Sequence, residues 1–307
     1  MSDSPLISIV TPCYNDDQYI REAIESVRNQ SYDNCEHIIV DGGSTDDTID
    51  ILDSFPEITY ISEDDDGIYD AVNKGIEMAS GSFVGWLNAD DIYVDGAFES
   101  FLKAYRDSPS ADIIVGNSDV FRDEDDEQVQ LKEYRFTDPE KLSRGIIDHN
   151  SVALNGCLIS ADLIESIGLY DSTLDVAGDA EYLIRIASKM PDTVGVPDIV
   201  YRYRSHEESI TFSDQEFGSV TKVGTEEMIE YLPRYFTDPS VPDQLRSHCR
   251  TKYRVRSAML LRHHLFEMNT SGLVETMSEV LKTDKTWFYW AVTEAVPKSI
   301  FRKGMRR

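Results

Sequence analysis

Short β-branched runs and single amphipathic segments alternate over the first 117 residues, and that alternation leaves few folds open. Residues 6–14 (LISIVTPCY) carry a buried-strand pattern that runs out at a proline. Behind it Ile20, Ala23, Ile24 and Val27 fall at spacings of 0, 3, 4 and 7, one face of a helix. HIIVD (37–41) predicts a second strand, closed by GGSTDDT (42–48), where Ser44 or Thr45 can cap a helix starting near Asp46. ITYISE (58–63), SFVGWLN (82–88) and ADIIVGN (111–117) predict three more strands, with helices over 69–79 and about 95–106 between them. Strands joined by single helices predict right-handed crossovers and a mainly parallel sheet, an α/β fold.

Ligands of such sheets bind in the crevice at the carboxyl ends of the strands. Those ends are residues 12–17, 41–47, 63–67 and 88–91, all polar and three of them rich in carboxylates. A ring of carboxylates on one crevice calls for a cation, and a divalent metal carrying a phosphate ligand fits best. There is no GxGxxG after the first strand and no GxxxxGK[ST] anywhere, which argues against dinucleotide oxidoreductases and P-loop enzymes.

Charge narrows the partners. With 57 Asp and Glu against 29 Lys and Arg, the net charge of −28 repels a phosphate backbone, so nucleic acid is not an expected partner. An acid-rich, lysine-poor surface (11 Lys) predicts a halophilic, salt-rich cytoplasm that screens self-repulsion. No run approaches 18 apolar residues, and the start MSDSPLISIV lacks the basic and apolar regions of a secretory signal, so a cytoplasmic protein is expected. Cys13, Cys35, Cys157 and Cys249 show no metal spacing and read as thiols, Cys13 and Cys157 in apolar strands. The acidic segment 122–130 reads as a solvated hairpin or loop.

Residues 246–307 hold 13 basic and five acidic side chains, a net of +8 against −36 for the rest. The shift is a composition boundary between 1–245 and 246–307 and predicts two functional regions. WFYWAV (287–292) within this basic stretch suits anionic lipid headgroups, with Trp287, Phe288, Trp290, Ile300 and Phe301 as contacts. A helical extension whose arginines pair with the acidic body is the other reading.

In order along the chain, ISIVTPCYN (7–15), IIVDGGSTDDT (38–48), DDGIYDAVNKGIEMASG (65–81), FVGWLNADDIY (83–93), AGDAEYLIR (177–185) and YRYRSHEESIT (201–211) resemble the motifs of the inverting family 2 glycosyltransferases. The resemblance covers about residues 6–212 and implies a catalytic domain over 1–213, followed by a helical, basic region over 214–307. It implies the GT-A fold, a single Rossmann-like nucleotide-sugar-binding domain with a mainly parallel central sheet, here followed by a C-terminal helical extension. It also implies sugar transfer from a nucleoside diphosphate donor, UDP-sugar favoured, with Mn2+ or Mg2+ as cofactor. GIYDAVNKG is close to a subgroup that builds surface polysaccharides and glycoprotein glycans. The implied acceptor is a lipid-linked glycan of the dolichol phosphate type, in N-glycosylation or cell-surface glycan assembly at the inner face of the cell membrane.

Residue by residue, the resemblance assigns Pro12, Tyr14 and Asp41 to the nucleotide base, with Asp66 and Asn73 as further nucleotide contacts. It places Lys74 on the pyrophosphate, an ordinary helix-surface lysine being the other reading. Asn88-Ala89-Asp90-Asp91 stands at the family's DxD motif with Asn in place of the first acid. Asn88 is then near the ribose and Asp90 and Asp91 hold the metal, although Asp91 could also cap the next turn. His206 matches a diphosphate or metal contact, and His149 a histidine on the acceptor side. Asp179 matches the catalytic base, Ala180 standing where the family has an aromatic; from the helix pattern alone Glu181 competes with it. A non-catalytic nucleotide- or glycan-binding module is the alternative function.

Overall fold

The computed structural model describes residues 4–124, 127–134, 154–206 and 221–295; His149, Ile300 and Phe301 lie outside them. The chain divides into two compact units, Met1–Ser213 and Asp214–Arg307.

The first unit runs β1 (Ile7–Cys13), α1 (Ile20–Arg28), β2 (Cys35–Asp41), α2 (Thr48–Asp53), β3 (Thr59–Ser62), α3 (Ile68–Met78) and β4 (Phe83–Trp86). It continues with β5 (Ile92–Tyr93), α4 (Ala97–Asp107), β6 (Ile113–Glu124), β7 (Glu127–Tyr134), β8 (Cys157–Ser160), α5 (Ala161–Ile167), α6 (Gly178–Ser188) and β9 (Thr193–Arg204). Among the described residues the strands form one sheet in the order β3-β2-β1-β4-β8-β6-β9-β5, with β7 paired to β6. The half that carries the crevice is parallel, with β1 between β2 and β4 and β3 outside β2. Every residue of β1 is buried, as expected of a strand covered on both faces.

The second half departs from simple alternation. β8 is antiparallel to both β4 and β6, so the predicted fifth strand does not lie next to the fourth. Cys157, Leu158 and Ile159 are buried there, an apolar run short enough to insert between two strands. The acidic segment does form an antiparallel arm, β6 with β7.

Local chemistry explains the elements near the crevice. α1 buries the four residues that its spacing predicts, Ile20, Ala23, Ile24 and Val27. β1 continues through Pro12 instead of stopping at it. The Val10 carbonyl accepts the Leu87 N–H on the β4 side, so the Pro12 nitrogen faces that side too, beyond the last β1–β4 pair. The missing N–H therefore has no partner to lose. α2 starts at Thr48, two residues past Asp46, and Ser44 is not its cap: the Asp46 carboxylate takes the Thr48 N–H at 3.0 Å and Ser44 is engaged with Asp41. α3 presses on β1 at a glycine: a Cβ on Gly75 would stand 2.3 Å from Cγ1 of Val10.

The second unit holds α7 (Lys222–Thr237), α8 (Asp243–Phe266), α9 (Thr270–Thr283) and α10 (Trp287–Trp290). α8 buries Leu245, Cys249, Tyr253 and Leu260. Arg254 on α8 pairs with Asp284 at 2.5 Å, and its carbonyl accepts the Trp287 indole N–H at 3.3 Å. Trp287 is therefore interior, which corrects its predicted role at a lipid surface, whereas Phe288 and Tyr289 are 62% and 73% exposed. Among the described residues no helix is long and apolar enough to cross a membrane. The four cysteines are free thiols, three of them buried.

Candidate active site

The loops after β1 and β2 are laced together by side chains. Asp41, fully buried at the end of β2, accepts the N–H groups of Gly43 (3.1 Å) and Ser44 (3.0 Å) and the hydroxyls of Ser44 and Ser62. Ser44 then accepts the Asn15 N–H at 2.7 Å, while Asn15 Oδ1 accepts the Thr45 N–H at 2.8 Å. Asn15 holds a left-handed conformation (φ 55°), which a short amide side chain tolerates. Pro12 is buried beneath this loop and Tyr14 projects from it, 60% exposed. Asp41 thus builds the turn, and its oxygens are already engaged.

The Asn88–Asp91 segment follows β4. Asp91 is buried; it accepts the Asn88 amide (2.9 Å), the Tyr201 hydroxyl (2.7 Å) and the Arg204 N–H (2.8 Å). Burial first, then the neighbouring Asp90 charge, pushes its carboxyl well above the usual range. Both of its oxygens hold the end of β9, and neither caps the following turn. Asn88 serves the same clasp, and its N–H also donates to the Tyr201 oxygen. Arg204 donates from Nε to the Asp90 carbonyl at 2.9 Å. These bonds bring His206 to Asp90, Nε2 to Oδ2 at 2.9 Å, with the His206 ring against Tyr19.

In the third motif, Asp66 is exposed, and its N–H donates to Asp70 at 3.2 Å. Asn73 uses both ends of its amide on Tyr170, donating to its carbonyl (2.9 Å) and accepting its N–H (2.8 Å). That clasp, 97 residues long in sequence, engages the Asn73 amide at both ends. Lys74 pairs with Glu63 (2.9 Å) and Asp70 (3.3 Å) and reaches the Asp64 carbonyl (3.1 Å), so it ties down the loop ahead of α3.

The two carboxylates of α6 are unlike. Asp179 is exposed in the first turn, where it accepts the Ala180 N–H at 2.6 Å. Glu181, two residues on, is buried and pairs with Arg185 at 2.9 Å. Only Asp179 of this pair presents its carboxylate at the surface.

Asp16 is a residue of the site that the motif reading passed over. It lies in the β1 loop, accepts the Tyr14 N–H at 2.9 Å, and feels the charges of Asp90, Asp46 and His206. Its sequence signal was the Asp-Asp after Tyr14-Asn15, hidden among many acidic pairs. Burial, with Asp90 and Asp46 behind it, pushes its carboxyl up to about 6 from an ordinary 3.8, against the Tyr14 N–H and His206. Between those values the folded chain holds more protons than the unfolded one, so stability falls as pH rises from 3.8 to about 6. Asp16→Asn, neutral throughout, is expected to raise the denaturation midpoint at pH 7 without metal, the gain vanishing at pH 3.5. Equal midpoints for both proteins at pH 7 would show that the ionised carboxylate carries no penalty.

The family described as Glycosyl transferase family 2 matches residues 8–160. An uncharacterized glycosyltransferase of Rickettsia prowazekii is 30% identical over 242 residues, covering 74% of this chain and 75% of its own. Among solved structures, residues 1–349 of S. aureus TarS with UDP-GlcNAc superpose with a TM-score of 0.62 at 16% identity, over 92% of this chain and 82% of that one. The mannosyltransferase PcManGT of Pyrobaculum calidifontis, with GDP-Man and Mn2+, gives 0.57 at 17% identity, over 95% and 84%. At those identities the structural likeness speaks for the fold, a GT-A-like α/β domain with C-terminal helices. Sequence match and fold agree: the chain belongs to glycosyl transferase family 2 and is a glycosyltransferase.

Proposed function

We propose that the protein transfers a sugar, with inversion, from a nucleoside diphosphate sugar to a hydroxyl of a growing glycan, with Asp179 as the general base. The observation that carries this reading is the contrast between exposed Asp179 and buried, ion-paired Glu181 on one helix. As the acceptor oxygen attacks the anomeric carbon opposite the nucleotide, its proton passes to the Asp179 carboxylate. The bond from that carbon to the diphosphate oxygen breaks, and the nucleoside diphosphate leaves. An α-linked donor gives a β-linkage. Tyr14, over Pro12, provides a surface for the nucleotide base, uracil by motif resemblance, and Asp41 acts by holding the adjoining turn. Asn88 and Ala180 are the grounds for the binding-module alternative, and the match to glycosyltransferases outweighs them.

Asp90 and His206 are the residues that would hold Mn2+ or Mg2+. Among the described residues no cluster of three or more candidate ligands exists. A carboxylate and an imidazole 2.9 Å apart, beside the crowded Asp16, still suit a cation shared with a diphosphate, which takes few protein ligands and several phosphate or water oxygens. When bound, the ion supplies positive charge against the departing diphosphate.

The acceptor in this proposal is a lipid-linked glycan of the dolichol phosphate type, met at the inner face of the cell membrane during N-glycosylation or cell-surface glycan assembly. Its support is the basic second unit with exposed Phe288, Tyr289 and Val292, and the acid surplus elsewhere supports a salt-rich cytoplasm.

A panel of nucleotide sugars in high salt, with Mn2+ or Mg2+ and lipid-linked acceptors, identifies the donor. Asp179→Asn is expected to cut transfer roughly 10²–10⁴-fold while nucleotide still binds; wild-type turnover would remove Asp179 as the base. Asp90→Ala is expected to weaken nucleotide binding in Mn2+ but not in EDTA, and an equal effect in both would disconnect it from a metal. Phe288→Asp combined with Tyr289→Ser is expected to lower sedimentation with anionic vesicles; unchanged sedimentation would remove this surface as the anchor.

A further inference from the structure

α6 lacks the usual device for starting a helix. Its Ncap is Ala177, which has no side chain to accept the free N–H groups of the first turn. The acceptor comes instead from another element. The Tyr69 hydroxyl, on the first turn of α3, accepts the Asp179 N–H at 3.2 Å and donates to the Val176 carbonyl at 2.9 Å. One oxygen thus bridges both sides of the turn from which the Asp179 carboxylate projects.

The Tyr69 ring is held as firmly as its hydroxyl. It is buried, stacks on Tyr170 with centroids 5.7 Å apart, and meets Trp86 edge-on at 6.0 Å. Tyr170 stacks in turn on Tyr182 of α6 at 3.8 Å, and Asn73 clasps its backbone. Gly178 lies so close to the Tyr69 ring that a Cβ there would stand 2.7 Å from Cε2 and Cζ. The chain before Asp179 is therefore seated on the ring and tied by the hydroxyl.

From this geometry we infer that Tyr69 is a positioning residue for the transfer reaction: a cap supplied by α3 that sets where the Asp179 carboxylate stands. The inference builds on Asp179 being the base. It assigns the tyrosine of GIYDAVNKG a role in acceptor activation. A misplacement of a base by about 1 Å can slow a reaction on the order of a hundredfold. Loss of one hydroxyl with the ring retained should sit below that limit.

The test compares Tyr69→Phe with the full-length parent, using the donor that the nucleotide-sugar panel selects. Tyr69→Phe is expected to lower kcat about tenfold while the KM for donor stays within twofold, and to speed hydrogen exchange in the peptide containing residue 179. Tyr182→Phe serves as control, because it belongs to the same stack and its hydroxyl has no partner among the described residues; it should match the parent. In an Asp179→Asn background the Tyr69 change should cost nothing further, which a general loss of fold would not reproduce. Parental kcat in Tyr69→Phe, a parallel rise in donor KM, unchanged exchange at residue 179, or an additive loss in the double variant would each overturn the inference. If Asp179→Asn itself turns over like the parent, the base assignment fails and this inference with it. A dead Asp179→Asn beside a fully active Tyr69→Phe defeats the positioning role alone.

Discussion

The crevice of this glycosyltransferase is organised around the seat of α3 on β1, where Gly75 and Val10 approach more closely than any Cβ would allow. Seating this helix so close to the sheet puts its other side chains within reach of distant segments. Asn73 takes both backbone groups of Tyr170, Tyr69 takes the turn at Val176–Asp179, and Lys74 gathers the carboxylates of Glu63 and Asp70. A helix standing even one methyl group farther off would put these short bonds out of range, because hydrogen bonds weaken steeply beyond about 3.5 Å.

Several carboxylates at the crevice serve construction. Asp41 ties the β2 turn and Asp91 the end of β9, both buried and both with several donors. A buried carboxylate is tolerated only with such donors around it. The result is that Asp90, Asp16 and His206 stand together at the mouth, while Tyr14 stands exposed on the adjoining loop. Such a crowd of ionisable groups calls for a neutralising partner.

Much of this was legible in the sequence. The spacing of Ile20, Ala23, Ile24 and Val27 predicted a helix face that the structure buries, and the strand ends marked the crevice. Motif order named Asp179 and Asp90 as candidates. That Cys157 lies in an apolar strand was legible, but the place of β8 in the sheet was not, since three apolar residues carry no sign of which neighbours they join. Nor was the work of Asn73 and Asp91, whose partners Tyr170 and Tyr201 lie 97 and 110 residues away.

Periodicity and motif order act over a few residues at a time, so they were enough for the parallel half of the sheet, the crevice at its edge and the family of the chain. Which carboxylate faces solvent depends on packing against segments far along the chain. Asp179 and Glu181 are chemically near-equal two residues apart, and Asp90 and Asp91 are adjacent and identical. Only tertiary structure separates them, burying Glu181 beside Arg185 and Asp91 beneath Tyr201 and Arg204 while leaving Asp179 exposed and Asp90 half-buried. The physical reason is desolvation: a carboxylate enters the interior where donors are already waiting and stays outside where they are not.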